Sequence, residues 1–266
     1  MSRIVSWFSC GAASAVATKL AIQAANGRDV VVAYCDTSKR EHPDNIRFLR
    51  DCERWFGQEV LILGNDDYDR DPDVVFRKTR FLVGPTGARC TSELKRSVRL
   101  GFQRPDDTVI LGYTTEEFER RHLRTAQAEP FVNFWPILHE RGLTKDDCLA
   151  MLERAGIELP AMYKLGYRNN NCIGCVKGQA GYWNKIRVDF PERFAEMAAI
   201  ERELGRAICK REWRDPDGTR HLERIPLDRL PPDLGRYESE PDISCGIICQ
   251  SASIEIEDCD AAEAAA

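Results

Sequence analysis

No apolar run in this chain approaches the roughly 20 residues that a helix needs to cross a bilayer. The first residues also lack the basic and apolar regions of a secretory signal peptide. Positive charge is not in excess, because 38 Lys and Arg stand against 43 Asp and Glu. The net charge of −5 therefore gives no global signal for binding to nucleic acid. We expect a cytoplasmic protein with no membrane partner.

A disulfide framework is not expected either, although the chain contains 11 cysteines. The number is odd, and 266 residues bury enough apolar surface to fold without cross-links. Cysteines of cytoplasmic proteins more often bind metals or take part in redox chemistry. There is no internal repeat, and we interpret two short basic segments, Arg120 to Arg124 and Lys210-Arg211, as solvated helix faces.

Apolar, β-branched runs alternate with segments of helical spacing along the first half of the chain. We predict strands at residues 4–8, 30–34, 59–63 and 108–113, and helices at residues 15–25, 44–56, 93–100, 143–155 and 191–204. This alternation is typical of an α/β fold with a doubly wound, mostly parallel sheet. We predict a nucleotide-binding domain at residues 1–204 and a wrapping, Cys-rich C-terminal extension at residues 205–266, where the sequence is polar and broken by prolines.

The loop after the first strand has the composition of a phosphate-binding loop. Ser9-Cys10-Gly11-Ala12-Ala13-Ser14 joins a strand to a helix and contains only small side chains. A helix N-terminus presents unpaired N–H groups and a positive dipole to an anion, and small residues let the anion approach. An ordinary tight turn would have a similar sequence, so the loop alone leaves both interpretations open.

Six segments in order resemble the phosphoadenosine-phosphosulfate (PAPS) reductase family of the PP-loop, or adenine nucleotide α-hydrolase-like, superfamily. The resemblance covers residues 4–194. The matching segments are SCGAAS, YCDTSKREHPDNIRFL, GARCTSELKRSVRL, VILGYTTEEFERR, FVNFWPI and AMYKLGYRNNNCIGCVKG.

The resemblance implies a site for an adenine nucleotide or sulfonucleotide. The residues implied in nucleotide binding are Ser9, Cys10, Gly11, Ala12, Ser14, Asp36, Thr37, Lys95, Gly112, Arg120 and Arg121. Asp36 follows the second strand and is suited to hydrogen bonds with ribose or adenine, or to a metal ion near phosphates. The guanidinium groups are suited to bidentate binding of phosphate or sulfate.

The pair Cys172 and Cys175 is the strongest metal signal, because two thiolates three positions apart can share one iron or zinc centre when the intervening turn contains glycine. Cys90 is a third candidate ligand, at a separation similar to that in adenylyl-sulfate reductases, whose cysteines hold a [4Fe–4S] cluster. Thr91 stands where those enzymes have a further cysteine. The fourth ligand is then Cys249, Cys245 or an exogenous group, and zinc or separate buried thiols remain alternatives. Four further cysteines are interpreted as core residues: Cys10, Cys35, Cys52 and Cys148.

The segment Ser-Cys-Gly-Ile-Ile-Cys at residues 244–249 resembles the Glu-Cys-Gly-Leu-His terminus of the family's reductases. The cysteine of that terminus attacks the sulfur of the bound sulfonucleotide, which makes Cys245 the candidate catalytic nucleophile. Ser244 and Cys249 depart from the family pattern. Cys245 is alternatively a cluster ligand or a redox partner of Cys249.

We therefore expect a sulfonucleotide-reductase-like oxidoreductase with a thioredoxin-like reductant. One alternative is an ATP-using Fe–S sulfurtransferase or an enzyme that modifies a nucleic-acid base or backbone. PP-loop ATPases of that kind usually have Asp before the last Ser of the loop, where this chain has Ala13. The other alternative is a non-catalytic, nucleotide-binding redox module. No sequence feature favours a particular oligomeric state.

Overall fold

A five-stranded parallel sheet forms the centre of the computed structural model, which describes residues 2–84 and 87–243. The strands of the described residues are β1 Ile4–Trp7, β2 Val30–Cys35, β3 Leu61–Leu63, β4 Val83–Gly84, β5 Gly87–Ala88, β6 Thr108–Leu111, β7 Asn133–Phe134, β8 Cys209–Arg214 and β9 Arg220–Ile225. The sheet order is β3-β2-β1-β6-β7, with every neighbouring pair parallel. Two antiparallel pairs, β4–β5 and β8–β9, lie outside it.

Helices connect these strands. The α-helices are α1 Ala12–Gln23, α2 Asn45–Phe56, α3 Pro72–Thr79, α4 Arg89–Thr91, α5 Ser97–Phe102, α6 Arg124–Ala128, α7 Ile137–Glu140, α8 Lys145–Arg154, α9 Ala161–Lys164, α10 Ala180–Asp189 and α11 Pro191–Leu204. Two π-helical turns, Ser92–Arg96 and Phe118–Leu123, continue into α5 and α6. No helix of the described ranges has both the length and the apolar character of a membrane-spanning segment.

Both faces of the sheet are covered, because successive strand residues point to opposite sides. Ile4 and Val32 pack on one face with α1, α2 and α8. Val5 and Ala33 pack on the other face, where α5 contributes Phe102. Strands buried on both faces explain the continuous apolar runs of β1 and β2. The predicted α/β class and parallel sheet are confirmed, and the arrangement is compatible with a doubly wound fold.

The predicted helices differ from the observed ones mainly at their first turns. α1 begins at Ala12 rather than Ala15, which brings the helix N-terminus into the small-residue loop itself. α8 has the predicted cap, since the Asp147 N–H donates to the Thr144 hydroxyl at 3.2 Å. Gly156 follows in the left-handed region at φ +72°, where glycine is favoured.

Sequence interpretation missed the β8–β9 hairpin. Lys210-Arg211 belongs to strand β8, so the interpretation of this segment as a helix face is wrong. After the hairpin, Leu227 and Leu230 pack against Trp183 and Ile186 of α10. The chain then continues to Ile243, the last described residue. Cys245 and Cys249 lie outside the described residues, and the Cys-rich part of the extension remains a prediction.

Candidate functional site

An open cavity of about 380 Å³ lies at the carboxyl ends of β1 and β6. The chain passes from β1 to β2 on one side of β1, whereas β6 is its neighbour on the other side. Open α/β sheets bind ligands at such a reversal of strand order. The loop after β1 and Gly112 after β6 both line the cavity, which we call the anion cavity.

Ser14 organises the loop of small residues at positions 9–14. Its hydroxyl oxygen accepts hydrogen bonds from the N–H groups of Ser9 at 3.1 Å and Gly11 at 3.4 Å, and it lies 2.9 Å from the Gly11 carbonyl oxygen. A Cβ atom on Gly112 would lie 2.6 Å from the backbone of Ser14. This close approach brings the end of β6 against the first turn of α1. Only glycine fits there without moving the backbone.

Cys10 contributes to the loop through its backbone. Its φ of +54° is in the left-handed region, which is costly for a residue other than glycine. Its carbonyl oxygen accepts a 2.6 Å hydrogen bond from the Asn170 side chain, which stabilises this conformation. Its side chain is buried and does not line the anion cavity, and burial raises the pKa of its thiol well above the usual value. A thiolate is therefore disfavoured at Cys10.

Basic side chains line the cavity, which is also lined by four acidic residues: Glu116, Glu117, Asp146 and Asp242. Lys95, Arg120 and Arg121 line it, and so does Lys145, which sequence reasoning missed. Arg121 forms an ion pair with Glu117, and its guanidinium carbon lies 4.3 Å from the centroid of the Tyr113 ring. Bidentate guanidinium groups and Lys ammonium groups both bind phosphate and sulfate.

Asp36 and Thr37 do not line the anion cavity. The Asp36 carboxylate accepts hydrogen bonds from the backbone N–H of Ser38 at 3.0 Å and from Arg70 at 3.4 Å. Thr37 donates to Glu41 at 2.6 Å and lines the second cavity described below. The structure therefore does not bring these two predicted nucleotide ligands together with the loop.

Two further residues that line the anion cavity, Tyr163 and Asn170, had no role assigned from the sequence. The N–H of Ala12, the first residue of α1, donates to the Tyr163 hydroxyl at 3.3 Å. Burial raises the pKa of Tyr163 to about 12, so this hydroxyl is neutral at physiological pH. Asn170 donates to both Cys10 and Asn45, which joins the loop to α2. The repeated asparagines at residues 169–171 were the available sequence signal.

The C-terminal segment reaches the rim of the anion cavity. Asp242 and Ile243 line the cavity, and Asp242 forms ion pairs with Lys145 at 3.6 Å and Arg168 at 3.1 Å. The Ile243 carbonyl accepts a 3.1 Å hydrogen bond from Asn171. The described chain thus ends at the anion cavity.

A second, small cavity of about 20 Å³ is lined by Cys90, Cys172 and Cys175, and we call it the cysteine cavity. Lys95 lines both cavities. The buried Thr91 also lines the cysteine cavity, and its hydroxyl has no hydrogen-bond partner among the described residues.

Buried hydrogen bonds hold the loop that carries Cys172 and Cys175. The N–H of Cys175 donates to the Tyr182 hydroxyl at 2.9 Å, and that hydroxyl donates to the Cys172 carbonyl at 3.3 Å. Between the cysteines, Gly174 has a φ of +71°, as the turn requires. Arg193 donates to the carbonyl of Ile173 at 3.2 Å.

Thiols are the donors that iron–sulfur clusters and structural zinc prefer, so the donor type around the cysteine cavity fits either group. Within residues 2–84 and 87–243, no group of three or more His, Cys, Asp or Glu side chains is placed to hold a metal ion. The predicted ligand Cys249 lies outside those ranges, as does Cys245. A complete ligand set is thus not contained in the described part of the chain.

The cysteines interpreted as core residues are buried: Cys10, Cys35, Cys52 and Cys148. Burial raises the pKa of the Cys35 and Cys148 thiols to about 12. This interpretation is confirmed, and it leaves the pair Cys172 and Cys175, with Cys90, as the described cysteines gathered at a candidate site.

Comparison with known proteins does not extend this description. No protein-family model matches the chain, and no curated protein is significantly similar to it.

Proposed function

We propose that this protein is a sulfonucleotide-reductase-like enzyme of the PAPS reductase type. The observation that carries the proposal is the shared wall at Lys95, which places a cavity suited to a nucleotide anion directly beside a cavity lined by three cysteines. A sulfonucleotide has a phosphate-linked sulfate, and its reduction needs an anion site and a thiol close together.

The binding role follows from the loop and the basic rim. The small-residue loop and the first turn of α1 line the anion cavity, and Lys95, Arg120 and Arg121 supply positive charge. Ala13 lines the anion cavity at the place where an ATP-using relative would have Asp. A methyl group does not bind magnesium, which favours a sulfonucleotide over magnesium-bound ATP.

Cys245 is the proposed nucleophile. It follows Ile243 by two residues, and Ile243 lines the anion cavity. In the proposed step, the thiolate attacks the sulfate sulfur, an S–S bond forms, the sulfur–oxygen bond to the phosphate breaks, and the nucleoside phosphate leaves. A dithiol such as thioredoxin then releases sulfite and becomes a disulfide.

Cys90, Cys172 and Cys175, with Cys249, would hold the proposed [4Fe–4S] cluster. Once bound, the cluster would supply redox-active iron. Tyr182 and Arg193 would hold the loop that carries Cys172 and Cys175 through their hydrogen bonds to its backbone.

Intact-protein mass spectrometry after mixing with adenylyl sulfate, or its 3′-phosphorylated form, without reductant tests the proposal. We expect an adduct with the mass of one SO₃ group and one equivalent of released nucleoside phosphate. The Cys245→Ser variant should form no adduct, whereas the matched Cys209→Ser variant, which changes a buried thiol, should react normally. An adduct that persists in Cys245→Ser would overturn the assigned nucleophile. Pyrophosphate release from ATP without any adduct would instead support the ATP-using alternative.

A further inference from the structure

Strands β8 and β9 form a ribbon that extends into solvent. Its base is anchored by the buried Cys209 and Ile225, which face each other across the pair. Between them, residues 210–224 are exposed except for the half-buried His221. Neither face of the ribbon is therefore covered by the rest of the described protein.

The register gives the two faces different charge. On one face, Arg211 pairs with Glu223 at 2.7 Å, and the Trp213 ring stacks on His221 with a centroid distance of 5.1 Å. Arg211 and Glu223 balance each other's charge, and His221 also contacts the Asp215 carboxylate in the turn at 2.6 Å. The other face, which we call the cationic face, consists of Lys210, Glu212, Arg214, Arg220, Leu222 and Arg224.

Like charges stand directly opposite each other on the cationic face. Lys210 is the cross-strand partner of Arg224. Arg214 is the partner of Arg220. Such pairs destabilise an antiparallel ribbon, so this arrangement opposes the stability of the hairpin.

Glu212 is the one carboxylate on this face, and it forms an ion pair with Arg220 at 2.6 Å. The hydrogen bond from Arg220, together with the charges of Lys210 and Arg214, lowers the pKa of Glu212. Among the described residues, Lys210, Arg214 and Arg224 form no ion pair. Three cations of this face therefore lack a carboxylate partner, and two further carboxylates, Asp215 and Asp217, lie in the turn of the hairpin.

The positive surface continues beyond the ribbon. Arg224 also lines an open groove of about 580 Å³ together with Arg202 and Arg206. Arg202 pairs with Asp228, whereas Arg206 forms no ion pair with a described residue. The cationic face and this groove form one continuous strip.

We propose that this strip binds the phosphodiester backbone of a nucleic acid. The two like-charge pairs are four residues apart along the strand, or about 14 Å, which matches a linear polyanion better than a small anion. A two-stranded ribbon is narrow enough to enter the major groove of DNA. Leu222 is the one apolar residue of the cationic face, so the face lacks the apolar centre of a protein interface and the apolar side of a membrane-binding surface. The proposal is independent of the chemistry assigned to the two cavities.

Fluorescence anisotropy with labelled nucleic acids tests this proposal. The probes are a DNA duplex of about two helical turns and a single-stranded RNA, which separate the two sources of phosphodiester. Polyglutamate and vesicles with anionic lipids serve as competitors. We compare the full chain with the K210Q/R214Q/R224Q variant. A control variant, R104Q/R141Q/R154Q, removes the same charge from exposed positions elsewhere.

We expect one or both nucleic acids to bind the unmodified chain at low salt, and the K210Q/R214Q/R224Q variant to bind at least about 10-fold more weakly. For the duplex, the slope of log K against log salt concentration should become shallower by about 2 to 3. The control variant should retain most of the affinity. Absence of binding by the unmodified chain, equal loss in both variants, or displacement by polyglutamate or vesicles as effective as by unlabelled nucleic acid would overturn the proposal.

Urea unfolding separates binding from folding. Because K210Q/R214Q/R224Q removes the like-charge repulsion, its unfolding midpoint should be unchanged or higher. If that variant is less stable, the single variant R214Q decides whether weaker binding comes from the lost charge or from a loss of folding. R214Q should weaken binding about threefold or more and leave the unfolding midpoint unchanged, whereas unaltered binding would count against the strip.

Discussion

The anion cavity and the cysteine cavity share Lys95, yet they are constructed in different ways. The anion cavity is open, and its inner wall is the main chain of two adjacent strand ends and the first turn of α1. The cysteine cavity is small and gathers Cys90 and the Cys172–Cys175 loop, which lie far apart in the sequence. The first depends on close backbone packing, whereas the second depends on a few buried hydrogen bonds.

This difference predicts different sensitivities to substitution. A side chain that separates two backbone segments should abolish the anion cavity, because neither segment has room to move. Loss of a hydroxyl that holds the cysteine loop should lower the stability of that loop by the free energy of one or two hydrogen bonds.

We expect the largest effect from Gly112→Val. The new Cβ would lie 2.6 Å from the backbone of Ser14, and neither β6 nor α1 can shift without disturbing the sheet. The free energy of unfolding should fall by about 3 kcal/mol. Affinity for AMP, measured by isothermal titration calorimetry, should fall by about 100-fold, or about 2.7 kcal/mol.

Gly101→Ala is the matched control. Gly101 is exposed within α5, and its Cβ would contact nothing within 4 Å. This change should raise stability by about 0.5 to 1 kcal/mol and leave AMP binding unchanged. Normal AMP affinity in Gly112→Val would contradict the role given to the close approach of β6 and α1.

The second prediction concerns pH and helix α11, whose Arg193 lines the cysteine cavity. Glu201 on α11 is buried and accepts hydrogen bonds from the N–H groups of Ile208 at 2.6 Å and Leu227 at 2.5 Å. Burial outweighs these bonds and raises the pKa of Glu201 to about 7. The pKa of Glu201 is higher in the folded protein than in the unfolded chain. Its contribution to the free energy of unfolding is therefore complete below about pH 4.5 and is lost as pH rises through 7.

The loss should reach up to about 3 kcal/mol between pH 5 and pH 8. Urea unfolding at several pH values measures it. In Glu201→Gln, the free energy of unfolding should no longer fall over this pH range, because the amide does not titrate. The amide should also lower the free energy of unfolding at every pH, because it has one acceptor fewer than the carboxyl group. The exposed Glu203→Gln should retain the original slope. Identical slopes in the unmodified chain and Glu201→Gln would show that the pKa of Glu201 is not raised.

The inner wall of the anion cavity was predictable because its determinants are local. An apolar run followed by Ser9 to Ser14 specifies a strand, a loop of small residues and a helix. Parallel strands then place Gly112 at the same edge. Asp36 was expected at the same site for this reason, but a strand end fixes a position and not a side-chain direction. Its carboxylate is directed to Arg70 and Ser38 instead.

Other features were beyond sequence reasoning because they depend on tertiary contacts. Tyr163 and Asn170 contact the loop of small residues after β1 from more than 150 positions away in the sequence. The β8–β9 hairpin lacks the alternation of apolar and polar residues that reveals a half-buried strand, since both of its faces are exposed. Its pattern became interpretable only once the register showed which charges face each other.

The smallest effect should come from Tyr182→Phe. This change leaves the buried N–H of Cys175 and the Cys172 carbonyl without their partner. The cost should be about 1 to 2 kcal/mol, concentrated in the cysteine loop. We expect a lower iron or zinc content after anaerobic purification and faster alkylation of Cys172 and Cys175, measured by peptide mass spectrometry. AMP affinity should be unchanged.

Tyr163→Phe is the reciprocal control, because it removes a hydroxyl that contacts the N–H of Ala12 at the anion cavity. It should lower AMP affinity about threefold to tenfold and leave metal content and cysteine alkylation unchanged. If each substitution altered both cavities equally, the two would form one cooperative unit. If each substitution altered only its own cavity, the two cavities would be independent despite their shared wall at Lys95. A nucleotide could then bind or leave without disturbing the cysteines.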